Sequence, residues 1–252
     1  MIVKQDGPVL KVTLNRPEKL NAINAEMFTG LVGAAEEASS NPSIRAVIFT
    51  GAGKAFCTGG DIGGMRRPNW EENSAGLQQV FRQLQSVFEK IEAIPVPTVA
   101  AVHGHCLGAG LQLVLMCDFR VAASGSLLGL PDVKNGIIPG LGATIRLPHL
   151  IGLSRSVEMI MTGDAVTAEE ALEMGLVNKV VPPAKLGGTA FELAGKLLQR
   201  APLALAAAKK LLYTRAGWEE IAATQVRLMG SEDAKEGRAA FLEKRSPVYK
   251  GR

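Results

Sequence analysis

The sequence predicts an α/β fold that ends in an all-helical region. Apolar strand-like segments alternate with amphipathic helical segments over most of the chain, and the pattern after Pro183 is helical almost to the end. The chain has 252 residues, of which 47% are hydrophobic and 21% charged, as expected for a globular protein with one large core. We therefore expect residues 1–190 to form the α/β core and residues 191–252 a C-terminal helical region.

The first elements have recognisable boundaries. Val9–Leu14 alternates in hydropathy after a turn at Asp6-Gly7-Pro8, which predicts the second strand of a hairpin. Asn24 is a favourable N-cap for a helix that runs from Ala25 to about Ala38 and stops at Asn41-Pro42. Further strands are predicted at Arg45–Thr50, Thr98–Val102, Phe119–Ala123, around Leu127–Leu130 and at Val177–Val181.

The segments between these strands are predicted to be helical. Apolar residues from Leu77 to Ile91 recur at steps of three and four, which predicts a long amphipathic helix that ends before Pro95. A short helix that follows a glycine-rich loop is expected to run through Met116. Another is expected to begin near Gly142 and to be interrupted by Pro148, because proline lacks a backbone N–H.

Charge and composition argue against several functions. The net charge is +4, the Lys and Arg residues are scattered outside the C-terminal tail, and only 5% of residues are aromatic, so a nucleic-acid partner is not expected. An anionic small molecule suits this charge better. No apolar run reaches the ~18 residues needed to span a bilayer, so no membrane partner is expected. The N-terminus lacks the apolar core of a signal peptide, and three cysteines are too few for a disulfide framework, so we expect the reducing cytoplasm.

Several familiar motifs are incomplete. Gly51–Lys54 resembles a phosphate-binding loop but lacks the Ser or Thr that should follow its lysine. Gly108–Gly110 lacks the third glycine of a dinucleotide-binding turn. His103, His105 and Cys106 are close in sequence, but no second ligand pair follows at the expected spacing, and we assign no metal.

Two glycine-rich loops remain, and each follows a predicted buried strand. The first is Gly51–Ile62, and the second is Gly104–Gln112, which opens a helix. A helix N-terminus carries unpaired N–H donors, and small residues allow a ligand oxygen to reach them. Side by side, two such loops would form an oxyanion hole. Each loop alone is also explained as a tight turn between a strand and the next element.

Taken together, these loops and a series of short motifs resemble the crotonase superfamily, the enoyl-CoA hydratase/isomerase family. The match covers nearly the whole chain, and its strength lies in the number of motifs that occur in one order. They are Leu14–Ala22, Ala46–Gly51, Gly59–Asp61, Ala101–Gly104, Met116–Asp118, Gly136–Gly140, Thr162–Gly163, Gly175–Val177, Glu236–Gly237 and Phe241–Arg245.

The resemblance implies a spiral of ββα units, a C-terminal helical region that forms trimers, and commonly a hexamer of two trimers. It implies an acyl-CoA thioester substrate and no separate cofactor, since CoA is part of the substrate. The thioester oxygen would lie between the backbone N–H groups of Gly60 and Ala109. The implied CoA-binding residues are Lys19, Leu20, Ala22, Ala55, Gly59, Asp61 and Ile62, together with Phe241 and Lys244 from a neighbouring subunit.

The chain departs from a typical hydratase at the two catalytic positions. Hydratases of this family carry two glutamates, and the matching positions hold Gln112 and Asp132. Hydration needs a water that is oriented and deprotonated and a proton delivered to the α-carbon. Gln112 holds a water but cannot exchange a proton near neutral pH, so Asp132 is the expected acid–base group for hydration or double-bond isomerisation. Alternatively, Asp132 is a turn residue and Gln112 caps its own helix.

Other functions stay open at this point. A Gln followed by an acid also resembles relatives that form a carbon–carbon bond to an enolate, and decarboxylating relatives use the same enolate. Some isomerases place an acid at the position of Gly140, and His105 is either a pocket residue or a structural residue of its turn. A catalytically silent acyl-CoA binder and an RNA-binding relative are the remaining alternatives. The acyl group is not predicted, although Met65–Leu77 and Leu141 are expected to line its end of the pocket.

Overall fold

The computed structural model describes residues 1–61 and 74–252 and has the predicted α/β architecture. The strands are β1 (Ile2–Asp6), β2 (Val9–Leu14), β3 (Ala46–Gly51), β4 (Thr98–Val102), β5 (His105–Leu107), β6 (Phe119–Ala123), β7 (Leu127–Gly129), β8 (Ala165–Thr167) and β9 (Lys179–Val181). The helices are α1 (Ala25–Ser40), α2 (Ser74–Glu92), α3 (Ala109–Leu115), α4 (Ala143–Ile151), α5 (Leu153–Thr162), α6 (Ala168–Glu173), α7 (Leu186–Leu198), α8 (Pro202–Thr214), α9 (Trp218–Met229) and α10 (Glu232–Leu242).

The strands form two sheets. The larger sheet has the order β1-β2-β3-β4-β6-β9, in which only the β1–β2 hairpin is antiparallel. The smaller sheet has the order β5-β7-β8, with β5 and β7 parallel. The chain passes directly from β4 into β5, and from β6 into β7. In each case the first strand belongs to the larger sheet and the second to the smaller sheet, and a helical segment follows. This arrangement is the ββα repeat that the resemblance implies.

Buried apolar side chains between the sheets and helices form the core. All five residues of β4 are buried, as expected for a strand covered on both faces. In α1 the Asn24 side chain accepts the Met27 N–H at 3.0 Å, which confirms the predicted N-cap. Phe28 on α1 packs against Phe88 on α2 with ring centroids 6.2 Å apart. These contacts hold α1 and α2 against each other.

Some predicted elements differ from the structure. β5 and β8 are not predicted from the sequence; each is a three-residue strand that is defined by its pairing with β7. The prediction that Pro148 interrupts its helix is wrong: Pro148 lies inside α4, which continues to Ile151. The break falls at Gly152, which has a φ of +79° and separates α4 from α5. Glycine adopts that conformation at little cost.

The C-terminal part is helical from α7 to α10, as predicted. The expected division between residues 190 and 191 falls inside α7. The buried Leu186, Ala190 and Ala194 of this helix pack with residues of the larger sheet, so α7 is a layer on that sheet. In the described part of the chain, no helix combines the length and the apolar composition needed to cross a membrane.

Candidate active site

The first glycine-rich loop is attached to the smaller sheet by backbone hydrogen bonds. The Cys57 N–H donates to the His105 oxygen at 3.1 Å, and the Leu107 N–H donates to the Cys57 oxygen at 2.8 Å. Cys57 and Cys106 therefore form an isolated parallel bridge. These bonds bring the end of the first loop beside the point where β5 leads into the second loop.

The backbone at Gly59 and Gly60 is held from one side by Ile23. The Ile23 N–H donates to the Gly59 oxygen at 2.8 Å, and the Asp61 N–H donates to the Ile23 oxygen at 2.9 Å. In a planar trans peptide the N–H and the C=O point in opposite directions. Because the Gly59 C=O faces Ile23, the Gly60 N–H points away from it, and it donates to no acceptor in the described ranges.

The second loop leaves another backbone N–H unpaired. Gly108 has a φ of +52°, its N–H donates to the Gly129 oxygen at 2.9 Å, and its own oxygen accepts the Gln112 N–H at 2.9 Å. Ala109 is the first residue of α3, so its N–H has no partner within the helix. Within residues 1–61 and 74–252 this N–H also has no other acceptor.

The two loops are in close contact at their glycines. A Cβ atom at Gly59 would lie 3.9 Å from the Ala109 nitrogen, and one at Gly108 would lie 3.6 Å from the Gly59 Cα. The same Cβ at Gly108 would lie 3.8 Å from Oδ2 of Asp132. The loops that carry the Gly60 and Ala109 amides and the Asp132 carboxyl group therefore meet at one place. Gly59 and Gly108 have no side chain, which keeps this place accessible.

Asp132 lies in a short 3₁₀ turn, Pro131–Asn135, that follows β7. Its Oδ2 is buried and has no hydrogen-bond partner, and among the described residues it is the one buried side-chain polar atom in this condition. Burial raises the pKa of Asp132 above its ordinary value. A half-buried carboxyl group with an unsatisfied oxygen and a raised pKa is suited to carrying a proton.

Gln112 has a well-defined orientation. Its side chain is 1% exposed, and its Oε1 accepts the Leu141 N–H at 2.7 Å and the Ala143 N–H at 3.4 Å. The alternative that Gln112 caps its own helix is therefore wrong, since its carbonyl oxygen caps α4 instead. Its Nε2 has no partner in the described ranges and is left as a hydrogen-bond donor. Gln112 lies three residues after Ala109, on the same face of α3.

The implied CoA-binding residues fall into two groups. Those near the first loop are close together, because the Thr58 N–H donates to the Leu20 oxygen at 3.2 Å and the Ala22 N–H donates to the Lys19 oxygen at 3.0 Å. Ile62 lies outside the described residues. Phe241 and Lys244, at the end of α10, are exposed, as a contact with a neighbouring subunit would require. His105 is also exposed, and no hydrogen bond links its side chain to the amides or to Asp132 in the described part.

Asn21 and Arg16 support the first loop, a role that the sequence does not predict for them. Asn21 is fully buried with a φ of +57°, and its Nδ2 donates to the oxygens of Ala52 and Ala55 at 2.8 and 2.7 Å. Arg16 Nη1 lies 2.9 Å from Asp61 Oδ2. Apart from the motif that contains both residues, the sequence carries no signal for these contacts, because they join positions more than 30 residues apart.

A cavity of about 930 Å³ lies elsewhere, between α4, α8 and the start of β6. Two ion pairs line it: Arg146 with Glu92 at 2.6 Å, and Lys209 with Asp118 at 2.9 Å. None of the residues that carry the unpaired amides or the free carboxyl oxygen lines this cavity. We therefore place the candidate site at the two loops, where the unsatisfied donors and acceptor are. In the described ranges, no group of three metal-ligating side chains is close enough together to hold an ion.

Comparisons with known proteins agree with this fold. The model of the enoyl-CoA hydratase/isomerase family matches residues 4–252. The chain is 37% identical to the 2,3-dehydroadipyl-CoA hydratase of Escherichia coli over 258 residues, which cover 100% of this chain and 99% of that protein. It is 37% identical to the short-chain-enoyl-CoA hydratase of Clostridium acetobutylicum over 255 residues, which cover 97% and 95% of the two chains.

The crystal structure of an enoyl-CoA hydratase from Bacillus anthracis matches with a TM-score of 0.93 and 35% identity, and covers 100% of this chain and 99% of that one. The fold is therefore the crotonase fold, which confirms the predicted fold class. The chain belongs to the enoyl-CoA hydratase/isomerase family.

Proposed function

We propose that the protein is an acyl-CoA enzyme that stabilises a thioester enolate between the Gly60 and Ala109 N–H groups, with Asp132 as the acid–base group. The observation that carries this proposal is the meeting of two unpaired amides and one unsatisfied carboxyl oxygen at a single place. Two aligned N–H donors stabilise negative charge on a thioester oxygen, and such a donor typically contributes ~3 kcal/mol to lowering the barrier.

Asp132 would move the proton that enolate chemistry requires. In hydration the carboxylate takes a proton from water, the hydroxyl group bonds to the β-carbon, and the resulting enolate takes the proton back at the α-carbon. In isomerisation the same group removes a proton from the α-carbon and returns it to the γ-carbon. A raised pKa suits both directions, because the group must accept and release a proton within one cycle.

Gln112 would orient the water or the acyl group. Its Oε1 accepts the N–H groups of Leu141, just before α4, and of Ala143, the first residue of α4, so its Nε2 is the atom that faces a ligand. Nε2 can donate to a water oxygen but cannot remove a proton. The names of the relatives favour hydration, whereas the single carboxylate favours isomerisation. We propose both reactions as activities of the same site.

The CoA part of the substrate would lie along the turn after β2 and the first glycine-rich loop. Lys19 there and Lys244 of a neighbouring subunit are exposed cations suited to CoA phosphates. The remaining implied residues contribute mostly backbone and small apolar surface: Leu20, Ala22, Ala55, Gly59, Asp61, Ile62 and the neighbour's Phe241. Because CoA belongs to the substrate, this chemistry needs no further cofactor.

Self-association as a trimer or hexamer is part of the proposal. Leu153, Val157 and Met161 lie four residues apart on α5 and are all exposed in the described part of the chain, so this helix presents an apolar stripe to solvent. The cavity beside α4 and α8 is lined in part by the exposed Ile145 and Leu212. Contiguous exposed apolar surface marks an interface. Light scattering during gel filtration should give the mass of three or six chains.

A panel of CoA thioesters with mass-spectrometric detection tests the function. We expect crotonyl-CoA and 3-enoyl-CoA to be converted, and the α-hydrogen of a bound saturated acyl-CoA to exchange in deuterated water. Binding without any exchange would instead indicate a silent acyl-CoA binder. Loss of CO₂ from malonyl-CoA, without conversion of the enoyl thioesters, would indicate a decarboxylating relative. A shift of RNA in a gel that weakens steeply with salt would indicate the RNA-binding alternative.

A further inference from the structure

We propose that Cys57 is a positioning residue that sets the distance between the Gly60 and Ala109 amides. This inference rests on the proposed function, in which both amides bind the thioester oxygen. Cys57 is a fully buried residue of the first glycine-rich loop, and its backbone is hydrogen-bonded to the second.

On the first loop, the Cys57 thiol holds Gly59. The Gly59 N–H donates to Sγ at 3.4 Å, and the thiol donates to the Gly59 oxygen at 3.5 Å. That oxygen also accepts the Ile23 N–H, so the peptide between Gly59 and Gly60 is held by Cys57 and Ile23 together. The orientation of this planar peptide determines where the Gly60 N–H points.

On the second loop, Cys57 contacts the first turn of α3. A Cβ atom at Gly110 would lie 2.5 Å from the Cys57 oxygen, 2.7 Å from its Cβ and 3.0 Å from its Sγ. Only a residue without a side chain fits there, so the backbone of α3 rests directly on Cys57. Ala109 precedes Gly110 in the same turn. A change of volume at position 57 therefore shifts the Ala109 N–H relative to the Gly60 N–H.

The chemistry of the thiol suits this positioning role. Burial raises the pKa of Cys57 to about 12, so the group stays protonated and is not a nucleophile at neutral pH. A serine oxygen accepts an N–H at about 2.9 Å, which is shorter than the bond to sulfur. Serine would therefore keep the hydrogen bond but draw Gly59 inwards, and alanine would remove the acceptor and leave a gap beside Gly110.

The kinetic test compares Cys57→Ala and Cys57→Ser with Cys117→Ala. Cys117 is an equally buried thiol, but its Sγ bonds to the Leu113 oxygen at 3.7 Å, near the far end of α3. With crotonyl-CoA we expect kcat of Cys57→Ala to fall about tenfold, with KM changed less than about threefold; a removed oxyanion donor lowers kcat a hundredfold or more. The kcat of Cys57→Ser should lie between those of Cys57→Ala and the unmodified protein, and Cys117→Ala should have the same kcat as the unmodified protein.

Two further readouts separate positioning from general damage. The carbonyl stretch of bound crotonyl-CoA should move back towards its value in free solution in Cys57→Ala, and should not move in Cys117→Ala. Hydrogen exchange of the ligand-free protein should become faster in residues 57–61 and 108–112 of Cys57→Ala, since the Gly59 N–H loses its acceptor. The melting temperatures of Cys57→Ala and Cys117→Ala, compared with that of the unmodified protein, measure how much stability each substitution costs.

An unchanged kcat and carbonyl frequency in Cys57→Ala would overturn the inference, as would an equal loss of kcat in Cys117→Ala. Failure of the proposed function has a different outcome, in which the unmodified protein neither binds nor converts any CoA thioester. In that case the exchange experiment still decides: unchanged exchange in both loop segments of Cys57→Ala would show that Cys57 does not hold them.

Discussion

Replacing Asp132 by Asn should abolish turnover and at the same time stabilise the protein. The substitution keeps the size of the side chain but removes the proton that it carries. Because general acid–base catalysis contributes about 10²–10⁴-fold, we expect kcat for crotonyl-CoA or 3-enoyl-CoA to fall at least a hundredfold. Thioester binding should persist, since the Gly60 and Ala109 donors belong to the main chain and are not altered.

The gain in stability follows from the charge of Asp132, whose half-buried carboxylate has an Oδ2 without a partner. The neutral amide of Asn costs less to bury at this place than the ionised carboxylate does, and we expect a difference of about 1 kcal/mol, the low end of the range of about 1–3 kcal/mol for an unpartnered buried group, because the side chain is only half-buried. In a chain of this length 1 kcal/mol corresponds to about 2–4 °C in Tm. Asp132→Asn should therefore melt a few degrees higher than the unmodified protein at neutral pH.

The pH dependence gives the sign of this effect. Burial raises the pKa of Asp132, so the folded protein binds this proton more tightly than the unfolded chain does. At a pH above the raised pKa, the ionised carboxylate lowers the free energy of unfolding. This destabilisation disappears as the pH falls below the pKa that Asp132 has in the unfolded chain. The difference in Tm between Asp132→Asn and the unmodified protein should therefore shrink as the pH is lowered.

Differential scanning fluorimetry across this pH range, together with steady-state kinetics, checks both halves of the prediction. Asp164→Asn is a matched control, because Asp164 is exposed and pairs with Lys134 at the surface. It should change neither kcat nor Tm appreciably. Turnover that survives in Asp132→Asn, or a Tm at neutral pH below that of the unmodified protein, would refute the reasoning.

Three other substitutions probe the surroundings of the site. Gln112→Glu should raise the rate of crotonyl-CoA hydration, because one carboxylate oxygen keeps the N–H bonds of Oε1 and the other replaces a donor by a proton acceptor; a slower rate contradicts this. Gly108→Ala should lower kcat at least about tenfold, whereas Gly125→Ala, also at a positive φ but in open space, should only reduce stability. Lys209→Met should lower the free energy of unfolding in urea by about 2 kcal/mol, with little change in KM, because the partly buried carboxylate of Asp118 loses its cation and keeps the hydrogen bonds from the Thr98 N–H and Oγ1.

The sequence predicted the larger elements because their signals are local. β2 occupies the predicted Val9–Leu14, and α1 begins after the predicted cap Asn24. The three-residue β5 could not be predicted from its own residues, since it exists only through its pairing with Leu127–Gly129 of β7. β5 is part of the second glycine-rich loop. A strand that the sequence does not predict therefore helps to position the site.

The site itself was predictable only in part. The positions of Gly60 and Ala109 were taken from the family resemblance, and the glycine-rich loops alone are also explained as tight turns. The hydrogen bonds of Cys57 and Asn21 could not be predicted, because each links a side chain to backbone groups whose positions depend on the folded loop. Asn21, at a φ of +57°, lies in a left-handed conformation that Asn tolerates better than most residues, but nothing local requires it there.

If Asp132 is the single acid–base group, isomerisation should transfer the same proton from the α-carbon to the γ-carbon. Asp132 would remove a proton from the α-carbon of a 3-enoyl-CoA and deliver it to the γ-carbon. Because Oδ2 is shielded from solvent, the proton that it carries should exchange slowly with water compared with its transfer to substrate. A 3-enoyl-CoA deuterated at the α-carbon should therefore yield a product that retains part of the deuterium at the γ-carbon in ordinary water, as measured by mass spectrometry. Absence of deuterium from the γ-carbon would mean that the proton there comes from solvent or from a second group, and that Asp132 does not work alone.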